Sequence, residues 1–322
     1  MLSNISIPIS AREGKRMKCD KCSSRAIIFQ KYSGMHLCKD HFCEDVERKV
    51  KRRMRLGKMV MKHDHVLIGL SGGKDSVVLL HLLKSIFEDR PDLKFTALTI
   101  DEGIASYRPK TLEIAKQVTQ ELGIEHEILS FKEEFGVTLD EIMEEKEEKR
   151  DVAACTYCGV FRKVLLNKYA NQIHATKVAT GHNLDDEAQA VLMNYLKGDI
   201  ERLARLRPAK IQPNLVPRIK PLQDVPEKEV ALYAIVKGMR ISLEECPYAQ
   251  LSFRAEIRDI LNEFEVKHPG TKYGVMAGFE KIQPALKNLY KQIELFSCEN
   301  CGEPTTNKLC RACKYLKQVL NK

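Results

Sequence analysis

The run His65–Phe87, HVLIGLSGGKDSVVLLHLLKSIF, constrains this chain more than any other stretch. Val66, Leu67, Ile68 and Leu70 form a short apolar run of the kind that makes a buried strand. Ser71-Gly72-Gly73-Lys74-Asp75-Ser76 interrupts it, and an apolar helical period follows at once through Val77, Leu79, Leu80, Leu83 and Ile86. A strand that turns through glycines into a helix is an anion-binding layout. The glycines let backbone approach a phosphate closely, and the helix N-terminus offers unpaired N–H groups at a positive dipole end. Ser71 and Ser76 add hydroxyl donors and Lys74 adds a charge. The spacing is not that of a Walker loop, whose glycines lie further apart and which ends in Gly-Lys-Ser/Thr.

Beyond this run, strands and helices keep alternating. Lys94–Ile100 (KFTALTI) predicts a strand ending in Asp101-Glu102-Gly103, and Pro109–Leu122 predicts a helix stopped by Gly123. Glu125–Phe131 reads as a strand, Leu139–Asp151 as a charged helix, Val160–Ile173 as a helix and Lys177–Thr180 as a short strand. Gly181-His182-Asn183-Leu184-Asp185-Asp186-Glu187 then turns the chain into a helix over Ala188–Leu196. Repeated units of this kind predict an α/β fold, a Rossmann-like parallel sheet with helices on both faces. Ligands in such sheets bind beyond the carboxyl ends of the strands, where segments 71–76, 101–103 and 181–186 all fall. Helices are also expected over 227–238, 254–264 and 277–296, the last kinked or broken at Pro284. The expected organisation has four parts. Residues 1–62 form a zinc finger plus basic helix and 63–223 the nucleotide domain. A helical extension over 224–296 completes the site, and 297–322 form a zinc ribbon.

Eleven cysteines in 322 residues need a chemical explanation. No apolar stretch approaches the roughly 20 residues of a membrane-crossing helix, and the first residues lack the order of a secretion signal. A cytoplasmic chain is the default, and there disulfides are rare. The thiols therefore read as metal ligands or reactive groups. Cys19-x2-Cys22 and Cys38-x2-His41, fifteen residues apart, have the spacing of a tetrahedral structural zinc, with Cys43 a rival fourth ligand and Arg25–Tyr32 supplying a hairpin strand between them. Cys298-x2-Cys301-x8-Cys310-x2-Cys313 is a second such set, so two Zn2+ are expected. Cys155, Cys158 and Cys246 remain. Cys155-Thr156-Tyr157-Cys158 precedes a helix and Cys246 precedes Pro247. Three readings stay open for them: a redox pair at a helix N-terminus, a third zinc, or an iron–sulfur cluster with one iron left open.

A formal net charge of +9 favours a polyanionic partner such as RNA. Residues 44–62 carry eight Lys/Arg against three Asp/Glu and read as a helix with Val46, Val50 and Met54 on its apolar side. Arg202, Arg205, Arg207, Lys210 and Arg218 concentrate in an arginine- and proline-rich stretch, either a solvated linker or a nucleic-acid contact. The terminal module, 298–322, is basic too, with five Lys/Arg against two Asp/Glu.

Taken together these motifs resemble a known family. Ser71–Ser76 resembles the PP-loop of the N-type ATP pyrophosphatases, which split ATP to AMP and pyrophosphate to activate a carbonyl. The PP-loop, the Cys155/Cys158 pair, the run Gly181–Glu187 and the single Cys246 occur in the order seen in tRNA 2-thiolation enzymes. With a zinc module at each end, the chain is similar to the TtuA-type tRNA 2-thiouridine synthetases from Cys19 to Cys313. The cytidine-thiolating relative TtcA resembles the middle of the chain but uses two CxxC pairs. Lysidine synthetases share the PP-loop but not this cysteine set.

The resemblance implies an oxygen-sensitive 4Fe-4S cluster on Cys155, Cys158 and Cys246, whose free iron takes up sulfur. It implies ATP contacts from Gly69, Leu70 and the loop Ser71, Gly72, Gly73, Lys74, Asp75 and Ser76, from the strand Ala97–Ile100, and from Gly181 and Asp186. It also implies a basic residue just after the CxxC, a place filled by Arg162 or Lys163. Asp75 and Asp186 suit Mg2+, and Asp186 alternatively orients the substrate. The expected reaction is adenylation at C2 of a tRNA uridine, in the anticodon or the T-loop, followed by replacement of oxygen with sulfur. Asp75, Asp186, Arg162 and Lys163 would carry it. The implied partners are tRNA, a sulfur donor (a ubiquitin-like thiocarboxylate protein, a persulfide or sulfide) and a second copy of the chain, with no membrane. Two other classes compete. One is a PP-loop ligase, or a persulfide-based thiolase with structural zinc in place of the cluster. The other is a non-catalytic RNA-binding scaffold. The intact loop argues against the scaffold and the unpaired Cys246 against the ligase.

Overall fold

The computed structural model describes residues 17–145, 153–206, 212–249, 253–290 and 294–320. The chain divides into two units, Met1–Asp45 and Val46–Lys322, with the division inside the first helix. In the smaller unit β1 (Ile28–Gln30) and β2 (Met35–Leu37) pair as an antiparallel hairpin. Helix α1 (Lys39–Leu56) begins five residues before the basic run at 44, with Asp40 in its first turn, where a negative charge suits the helix dipole.

The larger unit alternates as the sequence pattern predicts. It runs β3 (His65–Gly69), α2 (Lys74–Ile86), β4 (Lys94–Asp101), α3 (Arg108–Leu122), β5 (Glu125–Ser130), α4 (Phe131–Phe135), α5 (Leu139–Glu145), α6 (Ala154–Gln172) and β6 (Lys177–Ala179). It continues with α7 (Leu184–Leu196), α8 (Ile200–Ala204), β7 (Arg218–Ile219), α9 (Glu227–Val236), α10 (Phe253–Lys267) and α11 (Thr271–Leu289). It ends in β8 (Phe296–Ser297), β9 (Pro304–Thr305) and α12 (Arg311–Val319). Five strands form one parallel sheet in the order β5-β4-β3-β6-β7. Strand order therefore reverses between β3 and β6, the switch point at which open α/β sheets leave a crevice for ligands.

Alternation along the strands buries both faces. Leu67, Leu98 and Val178 join α6 through Tyr157, Phe161 and Leu165 in one core. Val66 and Ile68 point the other way and are equally buried, as are Val78, Leu79 and Leu82 of α2. A satellite core gathers Leu184 and Ala188 of α7 with Ile257, Leu261, Met276 and Phe279 of α10 and α11. Among the described residues no helix is long and apolar enough to cross a membrane.

Four local expectations are corrected. Cys155 and Cys158 lie within the first turns of α6, which starts at Ala154, and do not precede it. Helix α7 starts four residues before Ala188 because Asn183 caps it, its side chain accepting from the Asp186 N–H while Asp186 accepts from the Asn183 N–H. Of the kink or break expected at Pro284, the break does not occur, since α11 runs through it; Met276 and Phe279 anchor that helix in the satellite core, which offsets the lost N–H. Strand β7, two residues long, emerges from a stretch that reads as a loop, because it is too short to show any period. Arg207 and Lys210 of that stretch, and the end of the charged helix beyond Glu145, lie outside the described residues.

Phe161 is fully buried beneath the cysteine-bearing end of α6, edge-on to Phe131 at 5.5 Å and tilted against Phe135 at 4.7 Å. Phe161→Ala should destabilise the larger unit by about 3–5 kcal/mol, read as a lowered urea midpoint at unchanged m-value.

Candidate active site

The loop after β3 is held from within and from outside. The Ser71 N–H donates to Ser76 Oγ at 3.0 Å, Ser76 Oγ donates to the Gly73 carbonyl at 2.9 Å, and the Gly73 N–H donates to Ser71 Oγ at 3.3 Å. Both serine hydroxyls are therefore engaged in shaping the turn. Gly72 has φ +81°, and a Cβ there would lie 2.0 Å from the Thr111 carbonyl oxygen. Gly181, at the end of the neighbouring crossover, comes so near the loop that a Cβ would sit 2.9 Å from the Asp75 carbonyl carbon. The two turns at the switch point thus touch backbone to backbone. Leu70 continues the β3 ladder by donating to the Leu98 carbonyl. Gly69 closes β3 itself. Ala97 and Ile100 are buried in β4, and the Ile100 carbonyl accepts from Arg108.

Charges of both signs meet at the start of α2. Lys74 Nζ donates to Asp75 Oδ2 at 3.0 Å and to Glu227 Oε1 at 2.8 Å. Burial opposes the charge on Lys74, but Asp75 and Glu227 outweigh it and hold the ammonium above the ordinary lysine range. Asp75 Oδ1 accepts from Asn183 Nδ2 at 3.0 Å, which ties the loop to the cap of α7. Asp186 faces the same space and pairs with Arg254 at 3.1 Å. Burial pushes its pKa up to about 6; Asp75 and Glu227 add to the shift, while Arg254 and the Asn183 N–H oppose it. Asp185, by contrast, points away, accepting from the Glu227 N–H and from the buried Lys272. Glu227 and Arg254 carry no local sequence signal; only the fold brings them to the loop.

A second cleft wall carries the three remaining cysteines. Cys155 Sγ lies 3.7 Å from the Tyr248 carbonyl, two residues past Cys246. Burial, with Glu102 and Cys246 adding and Arg162 opposing, pushes the Cys158 thiol up to about 11. Of the two basic residues after the pair, Arg162 faces this wall, near Cys158 and 3.4 Å from Glu102. Lys163 faces Arg218 and other cations instead. Glu102 in turn lies 2.8 Å from Arg108 Nε. Arg108 is 2 % exposed and donates to the Ser71 carbonyl at 3.0 Å and to Thr111 Oγ1 at 3.0 Å. A chain of charge thus runs from the loop through the buried Arg108 and Glu102 to the more exposed Arg162 beside Cys158. Glu102 was legible as part of the turn after a strand at the sheet's ligand edge, whereas Arg108 had no signal. His182 Nδ1 lies 2.8 Å from Thr180 Oγ1, and desolvation first, then Lys220, Arg254, Arg162 and Arg218, hold its pKa below the ordinary imidazole value.

The other two cysteine groups are built differently. Four thiolates on one zinc at about 2.3 Å stand about 3.8 Å apart. Cys22 and Cys38 lie 3.7 Å apart, and His41 Nδ1 lies 3.4 Å from Cys19 and 3.3 Å from Cys38. Cys298 and Cys313 lie 3.8 Å apart, and Cys301 and Cys310 3.6 Å. Each set of four closes within 4.8 Å, with Cys43 outside the first. Cys155, Cys158 and Cys246 sense one another's charge but do not close into such a set. Cys155, Cys158 and Cys246, close enough for their charges to interact, offer the thiolate donors that iron–sulfur clusters use.

Comparison with known proteins agrees with this geometry. A PP-loop domain model matches residues 43–264, and a model of the N-terminal LIM domain of 2-thiouridine synthetase TtuA matches residues 18–43. The chain is 42 % identical to the tRNA 2-thiolation protein NcsA of Haloferax volcanii, over 94 % of this chain and 99 % of that protein. It is 36 % identical to the tRNA-5-methyluridine(54) 2-sulfurtransferase of Pyrococcus horikoshii, covering 95 % and 96 % of the two chains. Among solved structures, the U34-tRNA thiolase NcsA from Methanococcus maripaludis with its [4Fe-4S] cluster superposes with a TM-score of 0.82 at 37 % identity, over 94 % of this chain and 96 % of that one.

The raised pKa of Asp186 has a measurable consequence. Between 3.8 and about 6 the folded chain keeps a proton there that the unfolded chain has lost, so this group's contribution to stability falls as pH rises through that window. Asp186→Asn lacks that loss. Its urea midpoint should exceed the parent's at about pH 7, and the gain should vanish near pH 4.

Proposed function

The chain belongs to the TtuA/NcsA-type tRNA 2-thiolation enzymes of the PP-loop family, and on that premise we propose that it makes 2-thiouridine in tRNA at the expense of ATP. The uridine C2 oxygen attacks the α-phosphorus of ATP, and pyrophosphate leaves. Sulfur then adds at C2 and AMP departs with the former carbonyl oxygen. Oxygen alone is a poor leaving group; as part of AMP it is a good one. A PP-loop ligase, or a thiolase with zinc at the three cysteines, finds no independent support in the geometry.

Each residue follows from what it touches. The loop Ser71–Ser76 receives the ATP phosphates at the N-terminus of α2, where backbone N–H groups and the helix dipole favour negative charge. Lys74 exchanges Glu227 for a phosphate oxygen, and Arg162 stabilises charge on the same group. Asp75 and Asp186 would hold Mg2+ against the phosphates, leaving Asn183 and Arg254 to orient them. A 4Fe-4S cluster held by Cys155, Cys158 and Cys246 would supply an iron with an open position for sulfur. The thiol of Cys158 must give up its proton to serve as such a ligand, and Arg162 favours that loss. Zinc on Cys19, Cys22, Cys38 and His41, and on Cys298, Cys301, Cys310 and Cys313, would be structural, since each set is closed. A sulfur donor, a second copy of the chain and a cytoplasmic setting complete the proposal.

The observation that supports this reading is the linked chain Ser71–Arg108–Glu102–Arg162, whose middle pair is buried and which connects the nucleotide loop to the cysteine-bearing end of α6. In protein purified without oxygen, tRNA should stimulate pyrophosphate release, and nucleoside analysis should find 2-thiouridine. Lys74→Ala should lower both rates by about 100-fold or more. Cys246→Ser should keep zinc at the parent level and lose iron and thiolation. Parent-level product from either variant overturns the assignment, and thiolation by iron-free protein would point to a persulfide on Cys155 or Cys158.

A further inference from the structure

Two basic stretches far apart in the chain converge on one flank of α6. Lys163 sits there, one residue beyond Arg162 and facing away from the cysteine wall. Its backbone carbonyl accepts from Arg218 Nη2 at 3.1 Å. Arg218 belongs to β7, with Lys220 just past its end and Arg202 on α8. Arg311 opens α12 in the terminal ribbon. The ribbon is fixed to α6 by Tyr315 against Tyr157, ring centroids 4.8 Å apart, and by Asn167 Nδ2 donating to Glu303 Oε2 at 3.1 Å.

This cluster is short of anions. Lys220 pairs with Glu187 at 2.6 Å, and Glu303 lies near Arg218. Lys163, Arg202 and Arg311 make no ion pair among the described residues. Desolvation first, then the like charges of Arg218, Arg202, Lys220 and Arg311, push the Lys163 pKa down to about 8. Such crowding of cations is unfavourable alone and favourable around phosphate. Three of the five are guanidinium groups, whose planar fork matches phosphate oxygens.

We propose that Lys163, Arg202, Arg218, Lys220 and Arg311 form one binding site for the phosphodiester backbone of the RNA substrate, beside the reaction cleft. This rests on the tRNA reading above and adds where the strand is held. The cations come from four separate segments, which suits an extended strand better than a small anion. Lys220 is tied to Glu187 on α7, the helix that also carries Asp186, so the array borders the reaction cleft.

The test is tRNA affinity measured against salt on the full, oxygen-free protein. Each phosphate contact contributes about 0.7–0.9 to the slope of log K against log salt. Arg202→Ala with Arg311→Ala should flatten the slope by about 1.5 and weaken binding about 10–100-fold at low salt. The paired lysine substitutions, which keep charge, should restore most of the slope. Arg311 neighbours Cys310, so Arg202→Ala alone is measured in parallel and should flatten the slope by about 0.8. A parent slope retained in all variants overturns the proposal. So does a slope unchanged while only use of an acidic protein sulfur donor falls, which would reassign the surface to that donor. A parent protein that binds no tRNA overturns the thiolation reading as well.

Discussion

Arg108 is the charge on which the site depends. It is almost wholly buried, and its guanidinium reaches the Ser71 carbonyl past the end of β3, the Ile100 carbonyl near the end of β4, Thr111 on α3 and the carboxylate of Glu102. Burying a guanidinium is costly unless it is paired with an opposite charge and hydrogen-bonded. Here the cost is offset by acceptors that lie together only when β3 and β4 are in register and α3 is seated. The pair therefore contributes more to a single arrangement of loops than to net stability. Gly72 is the matching steric condition, since the backbone of α3 occupies the space a side chain would need.

Around that fixed point the site separates its charges. Carboxylates from Asp75, Asp186 and Glu227 gather on the α2 and α7 side, where Lys74 is held between two of them. Cations from Arg162, Lys163, Arg218 and Lys220 line the α6 side. Such a field favours a ligand that meets the carboxylates with positive charge and the cations with phosphate oxygens. The basic face of α1 behaves otherwise. Arg53 is spent on Asp224 and Glu280, and Lys49 on Glu229, so part of that charge run holds α1 in place and is not offered to a partner.

What could be read from the sequence was whatever is local. The strand–glycine–helix run, the close cysteine pairs and the αβ alternation each lie within a few residues, and each encodes its geometry directly. What could not be read was whatever the sheet brings together. Glu227 and Arg254 are ordinary helix residues until α9 and α10 bring them against the loop. Arg162 and Lys163 are indistinguishable as letters. Their difference is rotational: residues four apart on a helix share a face and residues five apart do not, so Arg162 meets the Cys158 side and Lys163 leaves it. Pro284 failed as a breaker because tertiary burial outweighed a single lost hydrogen bond.

Helix α6 presents a thiol, a guanidinium and an ammonium within nine residues, on one rod with no joint. A rod of 3.6 residues per turn converts chain length into angle. Lengthening a loop elsewhere would move its tip and little else. One residue added between Cys158 and Arg162 would turn everything beyond it by about 100°, pulling Arg162 off Glu102 and swinging Lys163 away from Arg218. The spacing of these positions is thus a phase relation, as intolerant of insertions as a reading frame.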